Sequence, residues 1–232
     1  MNLSDLAFTS YIFERMTDYD RSYKLFLKST SPEINLKSDL HLSALLKWLN
    51  AWGCRQFSTD YHELAAKEIK EWNEEFNQHL ISKDATILTL AEDDLQLIEN
   101  AYKSLSNRTA SYRKLPRERQ ARIEVGPTGA AKILFALRPN ALIPWDDAMR
   151  KHFHLDGSSS GYRQFLGRVK KYVKEISREC NHNSFELSEL PSRLGRPDSS
   201  ITKLMDEYFW VTITRKCAVP SSEDLKSWLG WS

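Results

Sequence analysis

Two adjacent carboxylates, Asp146 and Asp147, end the stretch PNALIPWDD, and a glycine-proline turn precedes them by some twenty residues in VGPTGAAKILFALRPNALIPWDDAMRKHF (residues 125–153). An aspartate at a helix start accepts hydrogen bonds from the first-turn amides. The same carboxylate beside a pocket can instead be catalytic. Both roles are open to Asp146, and Asp147 is the alternative if the register slips by one. Upstream, Pro127 suits the first position of a helix, where its missing N–H is no loss. A helix over residues 128–138 would pack Ala130, Ala131, Ile133, Leu134 and Leu137 inward. Gly126 permits a tight turn whose amides point outward at that helix start, a ready site for a phosphate. Pro139 and Pro144 bracket the loop that delivers Asp146.

Other residues near this stretch carry two readings each. Trp145 can line a base-stacking pocket or anchor the core. Arg150 and Lys151 can meet a phosphate or pair with the aspartates one helical turn earlier. Arg113, Lys114, Arg117, Arg119 and Arg122 form an exposed basic cluster suited to phosphate contact. In WLNAWGCR, Trp48, Asn50 and Arg55 are either pocket residues or parts of a core helix that stops at Gly53. His152 and His154 have no carboxylate or thiol at metal-ligand spacing, so no metal is expected. The three cysteines, Cys54, Cys180 and Cys217, are scattered without a CxxC pair, which argues against a disulfide framework, a zinc knuckle or a four-cysteine cluster.

The elements that must position these residues are helical. The chain of 232 residues has 41% hydrophobic residues, only 8 glycines and 7 tryptophans, and can bury a sizeable core. Ser38 caps a helix whose face is Leu42, Leu45, Leu46, Leu49 and Trp52. Further apolar stripes run over residues 60–80 (Tyr61, Ala65, Ile69, Trp72, Phe76, Leu80), over 92–105, and over 160–180 (Tyr162, Phe165, Leu166, Val169, Val173, Ile176). Another helix starts near Ser200, and SSEDLKSWLG (221–230) reads as a last short one. VTITRK has strand composition but no visible partner, and SNRTASYRKLPRERQARIE reads as a polar, basic connection. The expectation is all-α, with eight to ten helices in one compact unit over 1–232 or two closely packed lobes. No apolar run reaches the ~18 residues that span a bilayer. No basic-then-apolar leader opens the chain, so a cytoplasmic protein with no membrane partner is expected. Residues 1–107 hold 11 Lys and Arg against 17 Asp and Glu, whereas 108–178 hold 16 against 6. Such a basic segment is the footprint of a polyanion partner, or a solvated surface balanced by the acidic half.

With the turn, helix and aspartate in view, about 30 residues within the hairpin and active-site segment 108–155 resemble the helix-hairpin-helix base-excision DNA glycosylase superfamily. There a VGxxTA-type hairpin opens a helix, and a catalytic aspartate follows sixteen residues after the alanine. Val125 and Gly126 fall on the hairpin, Ala130 on the alanine and Asp146 on the aspartate. The resemblance implies a multi-helix orthogonal bundle that grips duplex DNA through Val125, Gly126, Thr128, Gly129 and Lys132, with Arg150, Lys151 and the basic cluster on the backbone. It implies a monovalent cation at the hairpin, no other cofactor, and a flipped base facing Asp146. Thr128 stands where bifunctional members carry a Schiff-base lysine, so that lyase route is not expected. Glu124 replaces the first hairpin glycine, and Gly129 stands where threonine is common. A looser similarity links the chain to bacterial proteins with a WLNxWGCR-like segment and a later PWD. Three functions follow: a monofunctional glycosylase acting on damaged or modified bases, a non-catalytic nucleic-acid binder on the same scaffold, or a helical interaction module.

Overall fold

The computed structural model describes residues 1–116, 119–221 and 224. Among these the chain is mostly helical, and the stripes in the sequence become the inward faces of its helices. Two N-terminal helices, α1 (Leu3–Met16) and α2 (Tyr19–Ser29), precede α3 (Asp39–Ala51), α4 (His62–Phe76) and α5 (Glu92–Ser106). Ser38 caps α3 through the His41 amide at 3.4 Å, and Gly53 closes it with φ of +78°. The left-handed conformation at such a helix end favours glycine. All five residues of the α3 face are buried, as are Ala65, Ile69 and Trp72 of α4.

The basic connection is not a loop. Residues Thr109–Lys114 (β1) and Gln120–Glu124 (β2) pair antiparallel, with Thr109 opposite Glu124 and Lys114 opposite Gln120. Packing fixes what composition does not reveal: Ser111 Oγ donates to the Gln56 carbonyl at 2.7 Å, and Tyr112 meets Tyr61 at 6.0 Å. The mostly helical fold agrees with the all-α expectation, and among the described residues one small two-stranded sheet is added to it.

β2 leads through Val125 into α6 (Gly126–Leu137), which is buried on nearly every side from Gly129 to Ala136. A helix with no polar face belongs inside. Next come α7 (Asp147–His152), the long α8 (Ser159–His182), the short α9 (Leu190–Arg193) and α10 (Ile201–Phe209), capped by Ser200. VTITRK forms no strand; Trp210–Thr214 continues α10 as a wide π-helical turn that packs against α7. The expected helix over 221–230 lies, apart from 221 and 224, outside the described residues. Among the described residues one continuous apolar core joins helices α1 to α10, with Trp72, Tyr102, Trp145 and Tyr162 fully buried within it. Each such aromatic or aliphatic side chain stabilises the fold by roughly 1.5–3 kcal/mol.

Candidate functional site

The turn between β2 and α6 is held from behind. Val125 is fully buried; its amide donates to the Arg108 carbonyl at 2.8 Å and its carbonyl accepts from Gln56 Nε2 at 2.8 Å. Gly126 has φ of +67°, a conformation disfavoured for any residue with a Cβ. A Cβ on Gly129 would sit 2.8 Å from Gln56 Nε2 and 3.2 Å from the Phe57 ring, so a side chain there would have to displace the Gln56 amide that holds the turn. Pro127 occupies the first turn of α6, and among the described residues no side chain caps that turn. The amides of Gly126 and Thr128 therefore have no capping side chain, and the helix dipole adds to them.

The loop after α6 is fastened at many points. Arg138 Nε donates to the Ile81 carbonyl at 2.7 Å, Tyr162 Oη to the Ile143 carbonyl at 2.9 Å, and Trp145 Nε1 to the Pro127 carbonyl at 3.3 Å. The Thr202 hydroxyl bonds the Pro139 carbonyl. Residues 141–145 are buried as a result. Asp146 emerges from this clamp as the N-cap of α7. Its Oδ1 accepts from the Met149 amide at 2.8 Å, and its Oδ2 accepts from Thr214 Oγ1 at 2.7 Å. Both oxygens are thus oriented by the protein, one locally and one from 68 residues away.

Asp146 lies on the wall of a cavity of about 340 Å³, within the ~300–1,000 Å³ range of ligand-sized clefts. Phe13, Tyr19, Trp52 and Trp210 form an aromatic side: Trp210 receives Phe13 edge-on at 5.3 Å and Tyr19 at 5.6 Å, and Trp52 tilts against Tyr19 at 6.2 Å. Trp145, Pro144 and Met149 extend the apolar lining. The polar lining is Gln56, Thr128, Lys132, Thr214 and the two carboxyls of Asp146 and Asp206. Asp206 is 7% exposed, and among the described residues its carboxyl accepts no hydrogen bond. Burial pushes that carboxyl up to about 7; the Lys203 and Lys132 charges oppose the rise, and those of Glu207 and Asp146 add to it.

The structure divides the residues singled out in the sequence. Asp146, Thr128, Lys132 and Trp145 come together at the cavity. Lys132 was expected on DNA, yet it is buried, its Nζ donating to the Trp52 carbonyl at 2.5 Å. Trp145 is both core and wall, stacked on Phe165 at 5.3 Å. Arg150 donates to Thr128 Oγ1 at 3.1 Å and pairs with Asp147 at 3.3 Å; Lys151 pairs with Asp147 at 2.5 Å. These pairs also hold the Asp147 carboxyl below its usual range, with the Lys151 hydrogen bond foremost.

Of the WLNAWGCR residues, Trp48 is core, stacked on Phe26 at 4.8 Å; Asn50 bonds the His62 ring at 3.0 Å; Arg55 is exposed. None of the three lines the cavity, and their neighbours Trp52 and Gln56 do. Arg113, Lys114 and Arg119 are exposed on the hairpin, with no ion-pair partner among the described residues. Arg122 is tied to Thr109 and the Asn107 carbonyl and pairs with Glu124 at 3.6 Å. Arg117 lies outside the described residues. Part of the basic excess is absorbed by the acidic half: Arg108 pairs with Glu75, and Arg163 with Glu92 and Glu99.

Phe13, Tyr19, Gln56, Asp206, Trp210 and Thr214 were not foreseen. A carboxylate pair inside the apolar run LMDEYFW is the one signal that would have flagged Asp206. At the hairpin, where a monovalent cation is expected, the carbonyl of Val125 accepts from Gln56 and that of Pro127 from Tyr102 and Trp145. Among the described residues no cluster of three His, Cys, Asp or Glu side chains is placed to hold a metal ion, and no helix is long and apolar enough to cross a membrane. No family model matches the chain, and neither the curated proteins nor the solved structures searched contain a match.

Proposed function

We propose that this chain is a DNA-binding protein of the helix-hairpin-helix glycosylase type, and that it hydrolyses the N-glycosidic bond of a damaged or modified base. One observation carries the reading: an uncapped helix start opened by Gly126 and a doubly oriented carboxylate, Asp146, lie on consecutive helices beside one aromatic cavity. A backbone phosphate on the α6 amides would bring a flipped nucleotide to that cavity, where aromatic rings can stack on the base at ~1–3 kcal/mol each. Asp146 would face the sugar and stabilise the positive charge that builds on it as the bond breaks. Thr128 supplies a hydroxyl where the related lysine would stand, and Lys132 is directed at the Trp52 carbonyl, which favours hydrolysis by water alone. Exposed Arg113, Lys114 and Arg119 on the β1–β2 hairpin that feeds the turn add sequence-independent attraction.

Binding without chemistry is the second reading, and Glu124 beside the turn favours it. That charge is partly offset by Arg122, and the cavity at Asp146 is not filled by side chains. The test is binding to a short duplex across a salt series, followed by a screen of damaged-base duplexes with wild type and Asp146→Asn. A steep loss of affinity with salt in both proteins, and base release in the wild type alone, are expected. Absence of binding at low salt removes both nucleic-acid readings.

A further inference from the structure

We propose that Asp206 is a second catalytic carboxyl of this cavity, a general acid that protonates an uncharged base as it leaves the sugar. This rests on the glycosylase reading above and adds to it a substrate class. Asp206 is more than nine-tenths buried, lines the same cavity as Asp146, and is unpartnered among the described residues. The cations within reach are engaged elsewhere: Lys203 Nζ bonds Glu207 at 2.6 Å, and Lys132 Nζ bonds the Trp52 carbonyl at 2.5 Å. The titratable groups around Asp206 are Lys203 and Glu207 on its own helix, Lys132 on α6, Asp146 at the start of α7 and Tyr23 on α2. A carboxyl in such a site holds its proton to about pH 7, because burial disfavours the charged form and no donor replaces water.

The step balances with water as the only co-reactant. As the C1′–N bond breaks, its electron pair goes to the base, and the Asp206 proton passes to a ring nitrogen or oxygen of that base. Water adds to C1′ and gives its proton to the Asp206 carboxylate, which restores the acid. One nucleotide residue and one water thus yield an abasic sugar and a neutral free base. An uncharged base needs this proton, since it would otherwise leave as an anion. A cationic base such as 7-methylguanine leaves as a neutral molecule without it.

Two measurements test the inference. The first is the infrared difference spectrum of wild type against Asp206→Asn, without DNA, from acid to alkaline pH. A protonated-carboxyl band that titrates near neutrality and vanishes in the variant is expected; its absence overturns the proposal whatever the protein's activity. The second is single-turnover release from duplexes bearing hypoxanthine, uracil or 8-oxoguanine, against one bearing 7-methylguanine. Asp206→Asn is expected to lose ~10²–10⁴-fold on uncharged bases it folds to bind, with 7-methylguanine released at the wild-type rate. Equal loss on both classes, no loss on either, or wild-type release of 7-methylguanine alone overturns the acid role and leaves the glycosylase reading standing. No release from any duplex by the wild type overturns both. The melting temperature of the variant confirms that a loss is not unfolding.

Discussion

Asp206 and Glu207 are consecutive carboxylates on one helix, both buried, and the protein treats them in opposite ways. Glu207 is fully enclosed and satisfied: Arg196 reaches it at 2.7 and 3.2 Å, and Lys203 at 2.6 Å. Arg196 also joins Asp20 at 2.5 Å and Ser10 at 3.0 Å, so the pair is part of a network that ties α10 to α1 and α2. Asp206 faces the cavity with no donor among the described residues. The difference teaches that burial alone does not mark a functional carboxylate. A buried charge with its counter-charges in place holds a structure together, and one without them is a candidate for chemistry.

The comparison can be broken most sharply at Glu207. Glu207→Gln leaves Arg196 and Lys203 short of a counter-charge in a closed interior, and a loss of ~3–5 kcal/mol in urea unfolding is expected. A loss under ~1 kcal/mol would show that the network is dispensable and that the contrast with Asp206 is empty.

Asp206→Asn should have the opposite sign. The Asp206 carboxyl sits at about 7 in the folded protein against 3.8 for the group in water. The folded state therefore binds the proton more tightly than the unfolded chain. This group's contribution to stability is intact below about pH 4, falls as pH rises towards 7, and stays low above it. The asparagine variant escapes that decline. It should gain on the wild type between acid and mildly alkaline pH, by an amount on the order of a few kcal/mol. Thermal melts of both proteins at the two ends of that window decide it, and a pH-independent gap would mean that Asp206 is already ionised.

Asp146 sharpens the contrast at a smaller scale. Asp146→Ala removes the α7 cap and should lower stability by ~1 kcal/mol, with Asp146→Asn much closer to wild type. Both should abolish base release, so a variant that is stable but inactive separates the cap from the chemistry. The smallest structural effect belongs to Arg113→Ala, Lys114→Ala and Arg119→Ala, each within ~0.5 kcal/mol of wild type. Each that meets a phosphate should lower the salt slope of duplex binding by ~1, and an unchanged slope in all three would place the DNA elsewhere.

Part of this site is legible in the chain because it is local. The cap at Asp146 needs only a proline-bounded loop followed by a helix, and the turn at Gly126 needs only a residue free to take a positive φ. The β1–β2 hairpin is illegible for the opposite reason. Its residues are mostly charged, and what fixes them as strands is contact with Gln56 and Tyr61 from distant elements. The cavity is harder still. Trp48 and Trp52 are one helical turn apart and both buried, and it is packing against other helices, α2 among them, that puts the first in the core and brings the second to the cavity wall.

By itself, the sequence determined the main helices, their buried faces and the start of the helix that Asp146 caps, because apolar spacing and capping are set within a few residues of chain. The tertiary structure alone decided which aromatic rings enclose the cavity, where Lys132 points, and which of two neighbouring carboxylates is left without a partner among the described residues. Those outcomes depend on side chains brought together from α1, α2, α3, α6 and α10, and the local pattern of any one helix carries no record of what the others place beside it.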